Sequence, residues 1–144
     1  MEIQKLTEKA IELLKNLIET QSFSTEEDKT ALLIEAWFQE FKIPFQRTKN
    51  NIWATNKHFD ENKPTLLLNS HHDTVHPNTA YTRDPFKATV EGDKLYGLGS
   101  NDAGGCLVSL MATFTNFYAQ ENLKYNLVIV ASAEEENSGA NGLN

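Results

Sequence analysis

One cysteine in 144 residues, Cys106, leaves the chain without an internal disulfide or a CxxC metal clip, and this fits a reducing compartment. On its own that cysteine reads as a small buried apolar group. Positive charge is scarce as well. Lys plus Arg number 13 against 20 Asp plus Glu, a formal net charge of −7, which argues against nucleic acid because phosphate binding relies on Lys and Arg displacing counterions. No apolar run reaches membrane-spanning length, and the amino terminus "MEIQKLTEKAIELLKNL" mixes charges into its apolar stripe, unlike a secretion signal. The expectation is a cytoplasmic protein with no membrane partner. No repeat, low-complexity tract or linker is visible, and an apolar fraction of 40% suits one compact domain with a sizeable core.

What is present reads as an α/β pattern. Ile3, Leu6, Ala10, Leu13, Leu14 and Leu17 recur at helical spacing and predict an amphipathic helix that stops around "TQSFS". Ser24 and Glu27 have capping-box spacing ahead of a second helix, whose face of Ile34, Trp37, Phe38 and Phe41 ends before Pro44. "FQRT" and "IWAT" flank the turn residues "KNN" as one hairpin, with Trp53 a packing residue, and "KATV" and "KLYG" bracket "EGD" as another. His58 lies in the polar loop "NKHFDENKP" and is expected in solvent. The runs "TLLL" at 65–68 and "YNLVIVASA" at 125–133 predict strands covered on both faces, as in a parallel sheet. Between them Leu107, Leu110, Met111, Phe114 and Phe117 mark a third helix after "GG".

Both apolar strands run directly into polar clusters, and open α/β sheets place their sites at strand carboxyl ends. After the first comes "NSHHDTV" at 69–75. Residues two apart on a strand share a face, so His71 and Asp73 project together while His72 points away, and a carboxylate so placed can orient a metal-binding imidazole. After the second comes "SAEEENSG", whose three adjacent carboxylates repel one another unless solvated or neutralised by a cation. The stretch "GLGSNDAGG" at 97–105 invites a nucleotide reading that its spacing refuses. Asp102 stands where GxGxxG needs its last glycine, and Gly105 where a P-loop needs lysine. A carboxylate among glycines suits a shared cation, and a tight turn with an Asp cap remains the alternative.

Together these stretches resemble the co-catalytic zinc aminoacylases and carboxypeptidases, a family that includes acetylornithine deacetylase, succinyl-diaminopimelate desuccinylase and glutamate carboxypeptidase. "SHHDTV" resembles its S-H-x-D-x-V stretch, "KLYGLGSNDAGG" its L-Y-G-R-G-x-x-D-M-K-G-G segment, and "SAEEENSGANG" its T-A-D-E-E segment, in the same order. "YTRDPF" at 81–86 looks like the stretch that precedes the middle motif. The resemblance implies part of a mixed, largely parallel sheet flanked by helices, an incomplete zinc-peptidase-like catalytic domain. It implies two zinc ions, with cobalt a possible substitute: His71 binding one, Asp102 bridging both and Glu136 binding the other. Asp73 would orient His71, and Glu135 would act as general base on the water between the metals. Glu134 occupies a place usually held by Asp, and His72 the variable position.

In detail the motifs look most like acetylornithine deacetylase. This implies hydrolysis of N-acetylornithine, or a related N-acyl amino acid, to ornithine in arginine biosynthesis, by a protein that is a homodimer at full length. Leu98 stands where the family usually has arginine, and "DAGG" where it commonly has D-M-K-G, so a dipeptidase, carboxypeptidase or desuccinylase of the same family stays open. The family takes further ligands from later in the chain, an acidic residue soon after the Glu pair and a histidine near the end, and has a separate lid or dimerisation domain. Residues 1–144 therefore read as the amino-terminal portion of a catalytic domain. The expectation is half a site, inactive by itself, with a non-catalytic truncated chain as the remaining alternative.

Overall fold

The computed structural model describes residues 2–142. Helix α1 spans Ile3–Glu19 and buries Leu6, Ala10, Leu13, Leu17 and Ile18. The stripe thus begins one turn later than the spacing predicts, because Ile3 lies beyond the packed surface at 72% exposure. Helix α2, Asp28–Glu40, buries Ala31, Ile34, Trp37 and Phe38. Hairpin β1 (Gln46–Thr48) and β2 (Asn51–Thr55) turns at Lys49 and Asn50, with Lys49 at a φ of 56°. Strand β3 is Thr65–His71, the hairpin β4 (Thr89–Glu91) and β5 (Lys94–Tyr96) turns at Gly92, helix α3 is Gly105–Phe117, and strand β6 is Asn126–Ser132. Among the described residues no helix is long and apolar enough to cross a membrane.

The main sheet is mixed and ordered β1-β2-β6-β3, with β3 parallel to β6 and the other two pairings antiparallel. Register explains the core. Ile52 faces Ala131, and Ala54 and Leu68 both neighbour Ile129. These residues share one sheet face and join Leu6, Leu13, Ile34, Phe38, Leu107, Met111 and Phe114 of the three helices in a single apolar cluster. All three helices therefore cover that face, and its burial is the main source of stability.

Three expectations change here. Strand β3 is not covered on both faces: among the described residues it bonds only β6, and Leu66 and Leu67 are 47% and 54% exposed. Its apolar run is that of a buried strand, but its position in this chain is a sheet edge. Cys106 is exposed, because it falls outside the arc of Leu107, Val108, Met111 and Phe114 that α3 buries. Ser24 and Glu27 form no capping box. Ser24 Oγ donates to Asp73, while the Glu27 carboxylate turns inward. Trp53 is half-buried in β2, and His58 is exposed as expected.

The open β3 edge generates a prediction. Unpaired N–H and C=O groups beside exposed leucines promote edge-to-edge association. Light scattering should show the chain associating as its concentration rises, and Leu67→Lys should reduce this without lowering the unfolding midpoint. A compact monomer at every concentration contradicts it.

Candidate metal centre

Parallel pairing of β3 with β6 sets His71 opposite Ser132, so the two strands end side by side and their polar extensions leave from one place. His71 reaches this site from the last position of β3 and is buried there. Beyond it Asp73 is fully buried and surrounded by donors. Ser24 Oγ lies 2.7 Å from Oδ2, the Glu135 and Glu136 amides donate at 3.2 and 3.0 Å, and His71 Nδ1 stands 3.3 Å from Oδ1. His71 Nδ1 is also 3.1 Å from the Asp73 carbonyl oxygen. A proton on Nδ1 thus has two acceptors, and Nε2 is left to face the opening.

Asp102 arrives from the wide turn Ser100–Gly104, in which Asp102 and Ala103 leave helical geometry and the Asp102–Ala103 peptide bond is cis. Glycine is required in this turn. The Gly104 amide donates to Gly99 O at 2.8 Å, and a Cβ on Gly104 would lie 2.7 Å from that oxygen. Ser70 Oγ ties the turn to β3 through Ala103 O at 3.3 Å. Asp102 Oδ1 ends 3.1 Å from His71 Nε2.

The third part is the turn after β6. Glu134 adopts a φ of 57°, and the amides of Glu134, Glu135 and Glu136 point inward to Glu27 Oε1, Asp73 Oδ1 and Asp73 Oδ2. With the backbone held from beneath, the side chains of Glu135 and Glu136 rise toward His71. Ligand atoms of His71, Asp102 and Glu136 lie within 4.8 Å of one another, and Glu135 Oε2 lies 3.7 Å from His71 Nε2. Glu134 turns away to accept from the Asn141 amide and side chain at 3.2 and 2.8 Å. An imidazole nitrogen and two carboxylates that converge, with no Lys or Arg between them among the described residues, suit a divalent cation.

The electrostatics agree with that donor set. The bond with Asp73 raises the His71 pKa to about 9 against the cost of burial, with Asp102 assisting. Burial opposes ionisation of Asp73, but the bonds from His71, Ser24 and the two amides outweigh it and bring the carboxyl down to about 2. Burial and the neighbouring Asp102 raise Glu136. His72 belongs to the scaffold. Its ring spans Thr30 Oγ1 and the Asn50 carbonyl at 2.9 Å each, and burial pushes its pKa down.

Ser24, Glu27 and Asn50 support this site, and the sequence gives no sign of it. Their local signal is a cap and a turn, because Ser24 and Glu27 find their partners at Asp73 and Glu134, and Asn50 binds the Glu27 carboxylate from the β1–β2 turn.

The two shifted groups set a pH profile for the metal-free fold. Asp73, lowered from 3.8 to about 2, contributes stability above its ordinary value that is lost as pH falls towards 2, about 2 kcal/mol in all. His71, raised from 6.5 to about 9, contributes below its ordinary value and loses that contribution as pH rises through 9. Urea unfolding should therefore show greatest stability between about pH 4 and 6.5, with the acid limb flattened in Asp73→Asn. An unchanged acid limb in that variant contradicts the assignment.

Residues 67–144, more than half of the chain, match the model of peptidase family M20/M25/M40. The acetylornithine deacetylases of Salmonella paratyphi B and Salmonella newport are each 33% identical over 145 residues, covering 90% of this chain and 37% of theirs. The chain thus spans little more than a third of the length of these relatives. Among solved structures, the M20 family metallo-carboxypeptidase Sso-CP2 from Sulfolobus solfataricus superposes with a TM-score of 0.73 at 25% identity, over 92% of this chain and 32% of that one. Human carnosine dipeptidase 1 gives 0.72 at 19% identity, over 94% and 34%. The Bacillus subtilis YXEP protein, a dinuclear metal-binding peptidase, gives 0.70 at 19% identity, over 96% and 38%. The last two show the shared fold. With its three motifs meeting at the ends of β3 and β6, the chain belongs to peptidase family M20/M25/M40.

Proposed function

We propose that this chain supplies the amino-terminal half of a zinc-dependent amidohydrolase site, which in the whole protein releases ornithine from N-acetylornithine or a close N-acyl relative. The observation that carries the reading is the convergence of His71, Asp102 and Glu136 ligand atoms within 4.8 Å, with Glu135 beside them. In this reading His71 would hold one zinc, Asp102 would be shared with a second and Glu136 would hold that second ion, and cobalt could substitute. Bound there, zinc would polarise the amide carbonyl and acidify water.

The protein residues divide the remaining work. Asp73 keeps the His71 proton on Nδ1 and so presents Nε2 as a ligand. Glu135 is 60% exposed and unpaired by Lys or Arg among the described ion pairs, so it is free to take a proton from the attacking water and return it to the departing amine. Beside Asp102 and Glu136 a cleft of about 270 Å³ is lined by Thr74, Val75, Tyr81 and Leu98. Its apolar and aromatic wall suits a small acyl group. Leu98, in place of the family's usual arginine, leaves that wall without a cation. The names of the curated relatives support the ornithine reading. A cytoplasmic homodimer in arginine biosynthesis is the further part of this proposal. Assays of the whole protein against acyl-ornithine, acyl-diaminopimelate and dipeptides test that choice.

Among the described residues three protein ligands reach a site proposed for two ions, fewer than well-held zinc requires. Calorimetry should show weak zinc binding that His71→Ala or Asp102→Ala abolishes, and the chain should release no ornithine. Because His71 keeps its proton until about pH 9, apparent affinity should rise with pH by up to about tenfold per unit between about pH 6 and 7.5. Two tightly bound zincs, or robust release of ornithine by this chain, contradict the partial-site account.

A further inference from the structure

We infer that Glu27 is a positioning residue for the metal site, gripping the amide of Glu134 so that the next two residues present their carboxylates to His71 and Asp102; this rests on the metal reading above. Glu27 is fully buried just ahead of α2. Its Oε1 accepts from the Thr25 amide at 2.7 Å and the Glu134 amide at 3.2 Å, and its Oε2 accepts from Asn50 Nδ2 at 2.9 Å. All three partners are donors, and a buried carboxyl group with no cation against it is costly to keep for packing alone.

Its place in the chain explains the cost. The turn after β6 starts at Glu134 with a left-handed backbone that a non-glycine residue adopts only when held there. Asp73 fixes the Glu135 and Glu136 amides, but the Glu134 amide bonds only Glu27 among the described residues. The neighbouring hairpin turn completes the mould. Asn51 accepts from the Ala133 amide at 3.0 Å and donates to Asn141 O at 2.6 Å, and Asn141 holds the Glu134 side chain. A shift of one residue in this turn would carry Glu136 away from the other ligands.

The orientation of Asn50 makes the contact testable. Arg47 Nη2 donates to Asn50 Oδ1 at 2.8 Å, and a guanidinium has no acceptor, so Asn50 can offer Glu27 only its NH2 group. In Glu27→Gln, an oxygen retained by the Glu134 amide places the new NH2 against that of Asn50, donor facing donor. Adding Asn50→Asp restores an acceptor for both the introduced amide and Arg47.

The experiment compares the wild-type chain, E27Q and E27Q/N50D by amide hydrogen exchange and by zinc calorimetry. E27Q should exchange the Glu134, Glu135 and Glu136 amides at least about tenfold faster while β6 stays protected, and should bind zinc about tenfold more weakly. E27Q/N50D should recover both. Unchanged turn protection and zinc affinity in E27Q overturn the inference. So does a folded double variant that does not recover, or failure of both variants to fold, which would assign Glu27 to folding alone. Should the wild type show no His71-dependent zinc binding, it is the metal reading that fails, and turn exchange in E27Q still decides whether Glu27 holds Glu134.

Discussion

The buried carboxylate of Asp73 is the contact on which the rest of the site depends. It receives Ser24 from the loop before α2, His71 from the end of β3, and two successive amides from the turn after β6. Three segments far apart in the chain are therefore fixed around one pair of oxygens. The same contact gives a proton on His71 Nδ1 its acceptor and sets the height of the acidic turn. The parallel β3–β6 pair is the frame that makes this possible, because it ends both strands at the same level.

That arrangement concentrates negative charge. Asp73, Asp102, Glu135 and Glu136 gather about the His71 imidazole and Glu27 and Glu134 lie at the base of the same turn, whereas the described ion pairs of the basic side chains lie elsewhere: Lys9 with Glu40, Arg47 with Asp28 and Glu35, Arg83 with Glu91. The buried members of the acidic set turn their oxygens to donors. Glu27 and Asp73 face backbone amides and Glu134 faces Asn141. Asp102, Glu135 and Glu136 keep oxygens turned to the opening, where burial and mutual repulsion raise Glu136. A cation relieves that repulsion, which is the physical link between the fold and the proposed chemistry.

Elements governed by local pattern were legible in the sequence. The helical periods of α1, α2 and α3, the two hairpins and the apolar runs of β3 and β6 emerged close to their expected places. The three motif stretches were legible too, because a strand's carboxyl end in an α/β sheet is a predictable place for polar clusters. What a local pattern cannot encode is which neighbour a strand will have. The run at 65–68 has the composition of an interior strand, yet β3 lies at the edge of this sheet. Ser24 and Glu27 carry a capping signal, but their side chains are claimed by Asp73 and Glu134, 49 and 107 residues away. Cys106 misled for the simpler reason that burial on a helix depends on the angle at which the helix docks.

The claim that Asp73 and the acidic turn make His71 a metal ligand is tested most directly by side-chain 15N NMR of the histidines during zinc addition. Nε2 of His71 should move to a metal-bound shift while Nδ1 keeps its proton, and the rings of His58, His72 and His76 should not respond. An unmoved His71, or zinc taken up first by any of the other three, would contradict the account.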